Sequence, residues 1–179
     1  LPGEDDMAQT LHDAGIVPDP AAIHAARRRL GERLAHHLAP HLPAVYDALA
    51  VPGPYSPEPR AAGARALRLA VLGLMTRIDG GARAARAFAL ADNMTDQTGA
   101  LACLIEGGVA HDALDAFERQ WRHDRLVMDK WFALQIAHAD PDRAAVVAER
   151  LTGHPDFDWK NPNRVRAVIG ALAGNHGGF

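Results

Sequence analysis

Helix-forming sequence, interrupted by proline and glycine, runs through nearly the whole chain, and this pattern most limits the folds available to it. Alanine and arginine are abundant, and both are good helix formers. No segment shows the alternation of apolar and polar positions, rich in β-branched and aromatic residues, that indicates a strand. We therefore expect an all-α fold with almost no strand.

Start and stop signals divide the chain into about nine or ten helices. Asp19-Pro20 and Asp140-Pro141 are each typical of an N-cap followed by the first helical residue. Gly80 is expected to end a long helix that Pro59 begins. The other expected N-caps are Asp5 or Asp6, then Thr95, and finally Asn161 or Asn163.

The turns between most predicted helices are short, which makes neighbouring helices antiparallel. Stacked antiparallel pairs are the unit of an α-solenoid, so a superhelix of the HEAT or armadillo type is favoured over an irregular bundle. The clearest interruption is the proline-rich segment VPGPYSPEP at residues 51–59, which is predicted to be a linker. We expect it to lie inside one helical domain spanning residues 1–179.

The segment WRHDRLVMDKWFALQ, residues 121–135, carries an apolar stripe at helical spacing. The stripe consists of Val127, Met128, Trp131, Phe132 and Leu134. We predict that Met128, Trp131 and Phe132 belong to the core. Asp129 and Lys130 fall on the other side of this helix, where they are either solvated or available to a neighbouring domain.

Composition excludes several classes of partner. The net charge of −3 provides neither the basic surface typical of nucleic-acid-binding proteins nor a polybasic membrane patch. A single cysteine, Cys103, cannot form an intrachain disulfide, which suits a reducing cytoplasm. There is no signal peptide at the start, so a cytoplasmic protein is expected. The two ends look cut, which indicates a piece of a longer chain.

No catalytic motif is evident in the sequence. His37 and His41 have the spacing of a metal-binding pair, but the residues between them are Leu-Ala-Pro and supply no general base. Cys103 lies in an apolar helical stretch, where cysteine usually acts as a small hydrophobic residue. We therefore predict no catalytic residue, no metal ligand and no cofactor in this chain.

Three segments resemble a known family. ADNMTDQTGAL (91–101), WRHDRLVMDKWFALQ (121–135) and NPNRVRAVIGALAGN (161–175) are similar to the C-terminal region of the bacterial aminopeptidase N family, the zinc-dependent alanyl aminopeptidases. They occur in the family's order and near its spacing. The N-terminal third is similar more loosely, so the resemblance spans nearly the whole chain.

The resemblance implies a helical-repeat domain that caps a separate catalytic domain. In that family the zinc-binding H-E-x-x-H motif and the G-A-M-E-N segment lie in an earlier domain, and neither motif occurs in this sequence. The implied cofactor is therefore zinc in the catalytic domain of the parent chain. The implied partners are that catalytic domain and the peptide substrates whose entry the superhelix shapes. The family's domain also continues through further helices.

The segment Asn161 to Arg166 contains the candidate substrate-contacting residues, which are Asn163, Arg164 and Arg166. Two residues apart on a helix, the arginines point about 200° from each other and serve different purposes. One hypothesis is that Arg164 faces the enclosed cavity and holds a peptide carbonyl or C-terminal carboxylate. The alternative is that each arginine pairs with a surface carboxylate such as Asp156 or Asp158.

Two functions are therefore open. The first is a structural and gating domain of a zinc aminopeptidase that removes N-terminal residues from peptides. The second is a stand-alone helical-repeat module that binds a protein on its concave face. An H-E-x-x-H helix upstream on the same chain would distinguish the first from the second.

Overall fold

The computed structural model describes residues 1–178, and 72% of the chain is helical. Its helices are α1 (Glu4–Asp13), α2 (Pro20–Leu38), α3 (Leu42–Ala48), α4 (Pro59–Asp79), α5 (Ala82–Leu90), α6 (Met94–Glu106), α7 (His111–Trp121), α8 (Arg125–Ala137), α9 (Pro141–Thr152), α10 (Pro162–Val165) and α11 (Ala171–Gly174). A π-helical segment, Arg166–Gly170, joins α10 to α11. No strand occurs in the part of the chain that the structure describes, which confirms the all-α prediction.

Several helix ends form where the local sequence predicts them. Asp19 Oδ1 accepts a hydrogen bond of 3.0 Å from the backbone N–H of Ala22 at the start of α2. Gly80 ends α4 in the left-handed region, with φ of 65°. That conformation is disfavoured for residues with a Cβ atom, so glycine suits this position.

Two N-caps differ from the prediction. Gly3 precedes α1, and the Asp6 carboxylate accepts the Gly3 N–H at 3.1 Å from within the first turn. Asn93, not Thr95, caps α6, because its Oδ1 accepts a hydrogen bond of 3.0 Å from the Asp96 N–H. In both cases the helix begins earlier than expected, and the predicted cap residue lies inside its first turn.

The described residues form two compact units, residues 1–30 with 116–178 and residues 31–115. Their existence does not test the expectation of one domain, which stays a prediction. None of the helices in residues 1–178 combines the length and the apolar character needed to cross a bilayer.

In the unit of residues 31–115, helices α4, α5 and α6 pack closely together. A Cβ atom built on Gly99 of α6 would clash with Cδ1 of Leu69 on α4, so the absent side chain is what allows this approach. The fully buried side chains include Leu72, Leu101 and Leu104. Residues 50–58, which contain most of the proline-rich segment, lie outside the helices.

In the other unit, α8 contributes more buried side chains than any other helix. Val127, Met128, Trp131, Phe132 and Ile136 are all buried. Asn175, far along the chain, binds the C-terminal end of α8. Its side-chain amide donates to the backbone carbonyls of Ile136 (3.0 Å) and Ala139 (3.1 Å). These bonds add a tertiary contact to the C-terminal end of α8 and to the turn that follows it.

Helix α1 is attached to the same unit by polar contacts, since none of its residues is buried. His24 Nδ1 lies 2.9 Å from Glu4 Oε1, and Arg27 Nε donates to the Pro2 carbonyl at 2.8 Å. His176 Nδ1 lies 3.0 Å from a carboxylate oxygen of Asp5.

Candidate functional site

The segment Asn161 to Arg166 begins with a side-chain cap. Asn161 Oδ1 accepts hydrogen bonds from the backbone N–H groups of Asn163 (3.1 Å) and Arg164 (3.4 Å). Pro162 occupies the first helical position, where its missing N–H has no consequence. Of the two asparagines considered as caps, Asn161 therefore fills the role, and Asn163 is left with an exposed side chain.

Arg164 points into the unit. Its side chain is only 4% exposed, and its Nε donates a hydrogen bond of 2.6 Å to Asp129 Oδ1 on α8. Nη1 donates to the backbone carbonyl of Asp156 at 2.6 Å, and the guanidinium carbon lies 4.3 Å from the centre of the Phe132 ring. The guanidinium is therefore held by an ion pair, a carbonyl and an aromatic face.

This geometry differs from the surface ion pair considered for Arg164. The carboxylate that it binds is Asp129 rather than Asp156 or Asp158, and the pair is largely buried. Asp129 also differs from its expected position on a solvated face, since its side chain is 18% exposed. The helical period correctly places Asp129 off the apolar stripe of α8. However, Arg164 at the start of the C-terminal helical segment packs against Asp129, so this side of α8 is covered as well.

Arg166 and Asn163 lie on the exposed side of the same segment. Arg166 Nη1 donates a long hydrogen bond of 3.5 Å to Asn163 Oδ1. Arg166 is also the first residue of the π-helical segment. Such segments are rare and are frequently found at functional sites. The structure therefore separates the three candidates into one internal residue, Arg164, and an exposed pair.

The residues predicted as core lie directly beneath this segment. Met128, Trp131 and Phe132 are buried, and the rings of Trp131 and Phe132 meet edge to face with centroids 5.1 Å apart. The His154 ring packs against both, at 5.2 Å from each centroid. The Arg164 guanidinium lies over the Phe132 ring, so the apolar core and the Arg164–Asp129 ion pair are in direct contact.

A cluster that the sequence did not indicate contains Glu118, His154 and Asp156. One ligand atom from each residue lies within 4.8 Å of the others. His154 Nδ1 accepts the Asp156 backbone N–H at 3.1 Å, and its Nε2 lies 3.5 Å from Glu118 Oε1. The three residues come from a helix and a distant loop, so no local spacing could reveal them.

Arg122 explains this cluster without a metal ion. Its Nη2 lies 2.9 Å from Glu118 Oε1 and 3.9 Å from Asp156 Oδ2, so the guanidinium supplies positive charge next to both carboxylates. The Nδ1 lone pair of His154 is already occupied by a backbone donor, which leaves only Nε2 for a ligand. We interpret the group as an ion-paired cluster that joins α7 to the loop before α10.

Cys103 is buried in α6, and its Sγ lies 3.8 Å from the backbone carbonyl of Leu69. Burial raises the pKa of the thiol to about 12, and the negative charge of Glu106 contributes in the same direction. Since the thiolate is the nucleophilic form, Cys103 is an unreactive core residue at neutral pH.

Comparison with known proteins places this fold in a family. The chain is 41% identical over 178 residues to an aminopeptidase N of Caulobacter vibrioides, covering 97% of the chain and 20% of that protein. Against the aminopeptidase N of Escherichia coli K12 the identity is 35% over 184 residues, with 98% and 20% covered. The chain thus spans about one fifth of the length of these relatives.

A solved structure agrees with the sequence comparison. The crystal structure of Legionella pneumophila aminopeptidase A in complex with aspartic acid superposes with a TM-score of 0.77 and 26% identity. The match covers 90% of this chain and 20% of that one. The expected resemblance to the C-terminal helical region of aminopeptidase N is therefore confirmed. A family model described as a domain of unknown function (DUF3458_C) with ARM repeats matches residues 1–179, and the chain belongs to that family.

Proposed function

We propose that this chain is the C-terminal cap of a larger zinc aminopeptidase that removes N-terminal residues from peptides. The observation that carries the proposal is the similarity, along nearly the whole chain, to about one fifth of the length of aminopeptidase N. On this proposal its principal partner is the catalytic domain of its own parent chain. The cap encloses the peptide-binding cavity and shapes the route by which substrates enter.

The residues of this chain do not fit a catalytic zinc site. A catalytic zinc ion needs about three protein ligands and an open position for water. His37 and His41 are both exposed and are separated by Leu-Ala-Pro, with no carboxylate between them to activate water. We therefore assign zinc and the hydrolytic step to the catalytic domain of the parent chain, and assign no step of hydrolysis to these residues.

Within the cap, we assign substrate contact to Arg166, with Asn163 as its neighbour. Both side chains are exposed, and the single hydrogen bond between them is long, so most guanidinium donors of Arg166 are available to a peptide carbonyl or carboxylate. Arg164 has a different part in this proposal. Its bonds to Asp129 and to the Asp156 carbonyl hold the segment in place and so position Arg166.

The test uses the full-length enzyme that contains this chain. Arg166→Ala is expected to lower kcat/KM for short peptides about tenfold to a hundredfold, because a charge-assisted hydrogen bond contributes roughly 1.5–3 kcal/mol. The melting temperature is expected to stay unchanged, since Arg166 is exposed. Anilide substrates, which lack a C-terminal carboxylate, should be affected much less if the carboxylate is the group held.

Arg143→Ala is the matched control, because Arg143 is an exposed arginine on α9 of the same unit. It is expected to change neither kcat/KM nor the melting temperature. Equal effects of Arg143→Ala and Arg166→Ala on peptide turnover would contradict the assignment of Arg166.

The sequence of the surrounding reading frame tests the proposal that this chain is a cap. The proposal requires an H-E-x-x-H motif several hundred residues upstream in the same reading frame. A reading frame without that motif would favour the alternative, a stand-alone helical-repeat module that binds a protein partner.

A further inference from the structure

A polar pocket lies within the unit of residues 31–115, between residues 51–55, α4 and the start of α6. Its volume is about 40 Å³. Since one water needs roughly 10–15 Å³ on this measure, the enclosed part holds about three water-sized groups. The polar and aromatic residues that line it are Tyr55, Arg65, Arg68, Asp92, Asn93 and Asp96.

Arg65 forms the buried wall of this pocket and has an unused donor. The residue is 5% exposed. One terminal nitrogen, Nη2, donates to the Ser56 carbonyl, and the guanidinium carbon lies 4.5 Å from the centre of the Tyr55 ring. Nε is buried and has no hydrogen-bond acceptor among the described residues. A ligand in the pocket cannot reach this shielded nitrogen, but the other terminal nitrogen, Nη1, also has no acceptor within residues 1–178 and is not shielded, so it is the donor available to the pocket.

Arg68 supplies a second guanidinium that is held in place. Its Nε donates to the Tyr46 carbonyl at 3.2 Å, and its guanidinium carbon lies 4.1 Å from the centre of the Tyr46 ring. Because stacking and a hydrogen bond fix this guanidinium before any ligand arrives, little conformational entropy is lost on binding.

Two carboxylates face the same pocket from the start of α6. The Asn93 side-chain amide donates to Asp92 Oδ1 at 2.9 Å and to Asp96 Oδ2 at 2.8 Å, which orients both groups. Within residues 1–178, no ion pair joins either carboxylate to Arg65 or Arg68. Among the four charged lining residues Arg65 is buried, Arg68 and Asp96 are half-buried, and Asp92 is exposed.

We propose that this pocket binds the zwitterionic head group of a free α-amino acid. The carboxylate accepts hydrogen bonds from Arg65 Nη1 and from the Arg68 guanidinium, and the ammonium group lies against the exposed Asp92. The two arginines and two aspartates make the lining neutral overall. A simple anion is therefore repelled by the aspartates, and a simple cation is repelled by the arginines. Only a ligand with both charges matches both sides, and the small volume limits the enclosed part to its carboxylate end.

This inference is independent of the proposed function, because it concerns a site within residues 31–115 and needs no catalytic domain. Glycine is the probe, since it is the smallest such zwitterion. Titration of the ¹⁵N-labelled 179-residue chain is expected to shift the Arg65 side-chain signal and the backbone amide signal of Asn93 saturably, with a Kd on the order of millimolar. Acetate and methylamine, which each carry one of the two charges, are expected to bind at least about tenfold more weakly.

Two variants locate the binding site. Arg65→Lys removes the forked guanidinium with its Nη1 donor and is expected to abolish the glycine-dependent shift of the Asn93 backbone amide. Asp92→Asn changes an exposed side chain, so the fold is retained, and it is expected to weaken glycine about tenfold while leaving acetate unchanged. Arg60→Gln on α4 and Asp47→Asn on α3 are the matched controls, because both residues are exposed and neither lines the pocket.

Acetate binding as tightly as glycine would overturn the proposal and make this a simple anion site. Absence of a saturable glycine response in a helical, folded preparation would also overturn it, and would leave ordered water as the occupant of the pocket. An equal loss of glycine binding in Asp92→Asn and Asp47→Asn would contradict the placement of the ammonium group.

Discussion

Arg164 Nε lies 2.6 Å from Asp129 Oδ1, so an ion pair joins the C-terminal helical segment to α8 across 35 positions of sequence. The pair is largely shielded from solvent, and its other contacts are the Asp156 carbonyl and the Phe132 ring. Breaking a buried pair on one side leaves an uncompensated charge, which is far more costly than the loss of an exposed pair.

Arg164→Ala is therefore expected to destabilise the chain by about 3–5 kcal/mol, since it leaves the Asp129 carboxylate without its partner. The free energy of unfolding in urea measures the effect. Arg166→Ala, two positions away and exposed, is expected to change that free energy by no more than about 0.5 kcal/mol.

The double variant Arg164→Met with Asp129→Leu provides a second check on the pair. Because it removes both charges and fills similar volume, it is expected to be more stable than Arg164→Ala alone. Similar losses for the single and double variants would contradict the view that the unpaired Asp129 carboxylate is the main cost of Arg164→Ala.

Asn161→Ala is expected to cost about 1 kcal/mol, within a range of roughly 0.5–2, because the first-turn N–H groups of α10 lose their acceptor. Asn163→Ala is the natural comparison, since its side chain is exposed and caps nothing. The difference between the two melting temperatures measures the cap. A larger loss from Asn163→Ala than from Asn161→Ala would contradict the assignment.

Cys103 is expected to resist alkylation by iodoacetamide at pH 8 and to react once the chain is unfolded in urea. The reason is that burial raises the pKa of its thiol from 9.0 in the unfolded chain to about 12. Between these values the unfolded state loses a proton that the folded state keeps. This group's contribution to stability is therefore complete below pH 9 and lost as the pH rises towards 12.

The comparison variant is Cys103→Ala. Its free energy of unfolding is expected to fall less steeply than that of the unmodified chain between pH 9 and about 11, because one group that titrates on unfolding is gone. Identical slopes for the two proteins would show that the thiol is not protected as described.

The 179-residue chain by itself is expected to hydrolyse no aminoacyl substrate, with or without added zinc. The sequence supplies no H-E-x-x-H motif and therefore no zinc-bound water with an adjacent general base. Release of aniline from alanine anilide measures the activity. Zinc-dependent turnover by a preparation free of host peptidases would contradict the prediction.

Local sequence determined most of the helices of this protein. Asp19 caps α2 with its side chain, Pro141 sets the first residue of α9, and Gly80 ends α4, because capping and backbone conformation depend on neighbouring residues. The apolar stripe that includes Met128, Trp131 and Phe132 follows from the helical period in the same way. Two helices begin two or three residues earlier than predicted, as at Asn93, whose side chain caps α6 just upstream of Thr95.

Only the tertiary structure determined the hydrogen-bond and ion-pair partners of the polar side chains. The helical period separates Asp129 from the apolar stripe, but it carries no information about the segment that later covers that side of α8. Arg164 could be assigned to Asp129, and Arg65 to its pocket, only once the helices had packed. The physical reason is range: caps and periodicity act within about one or two turns of a helix, whereas these contacts join residues that approach each other only in the folded chain.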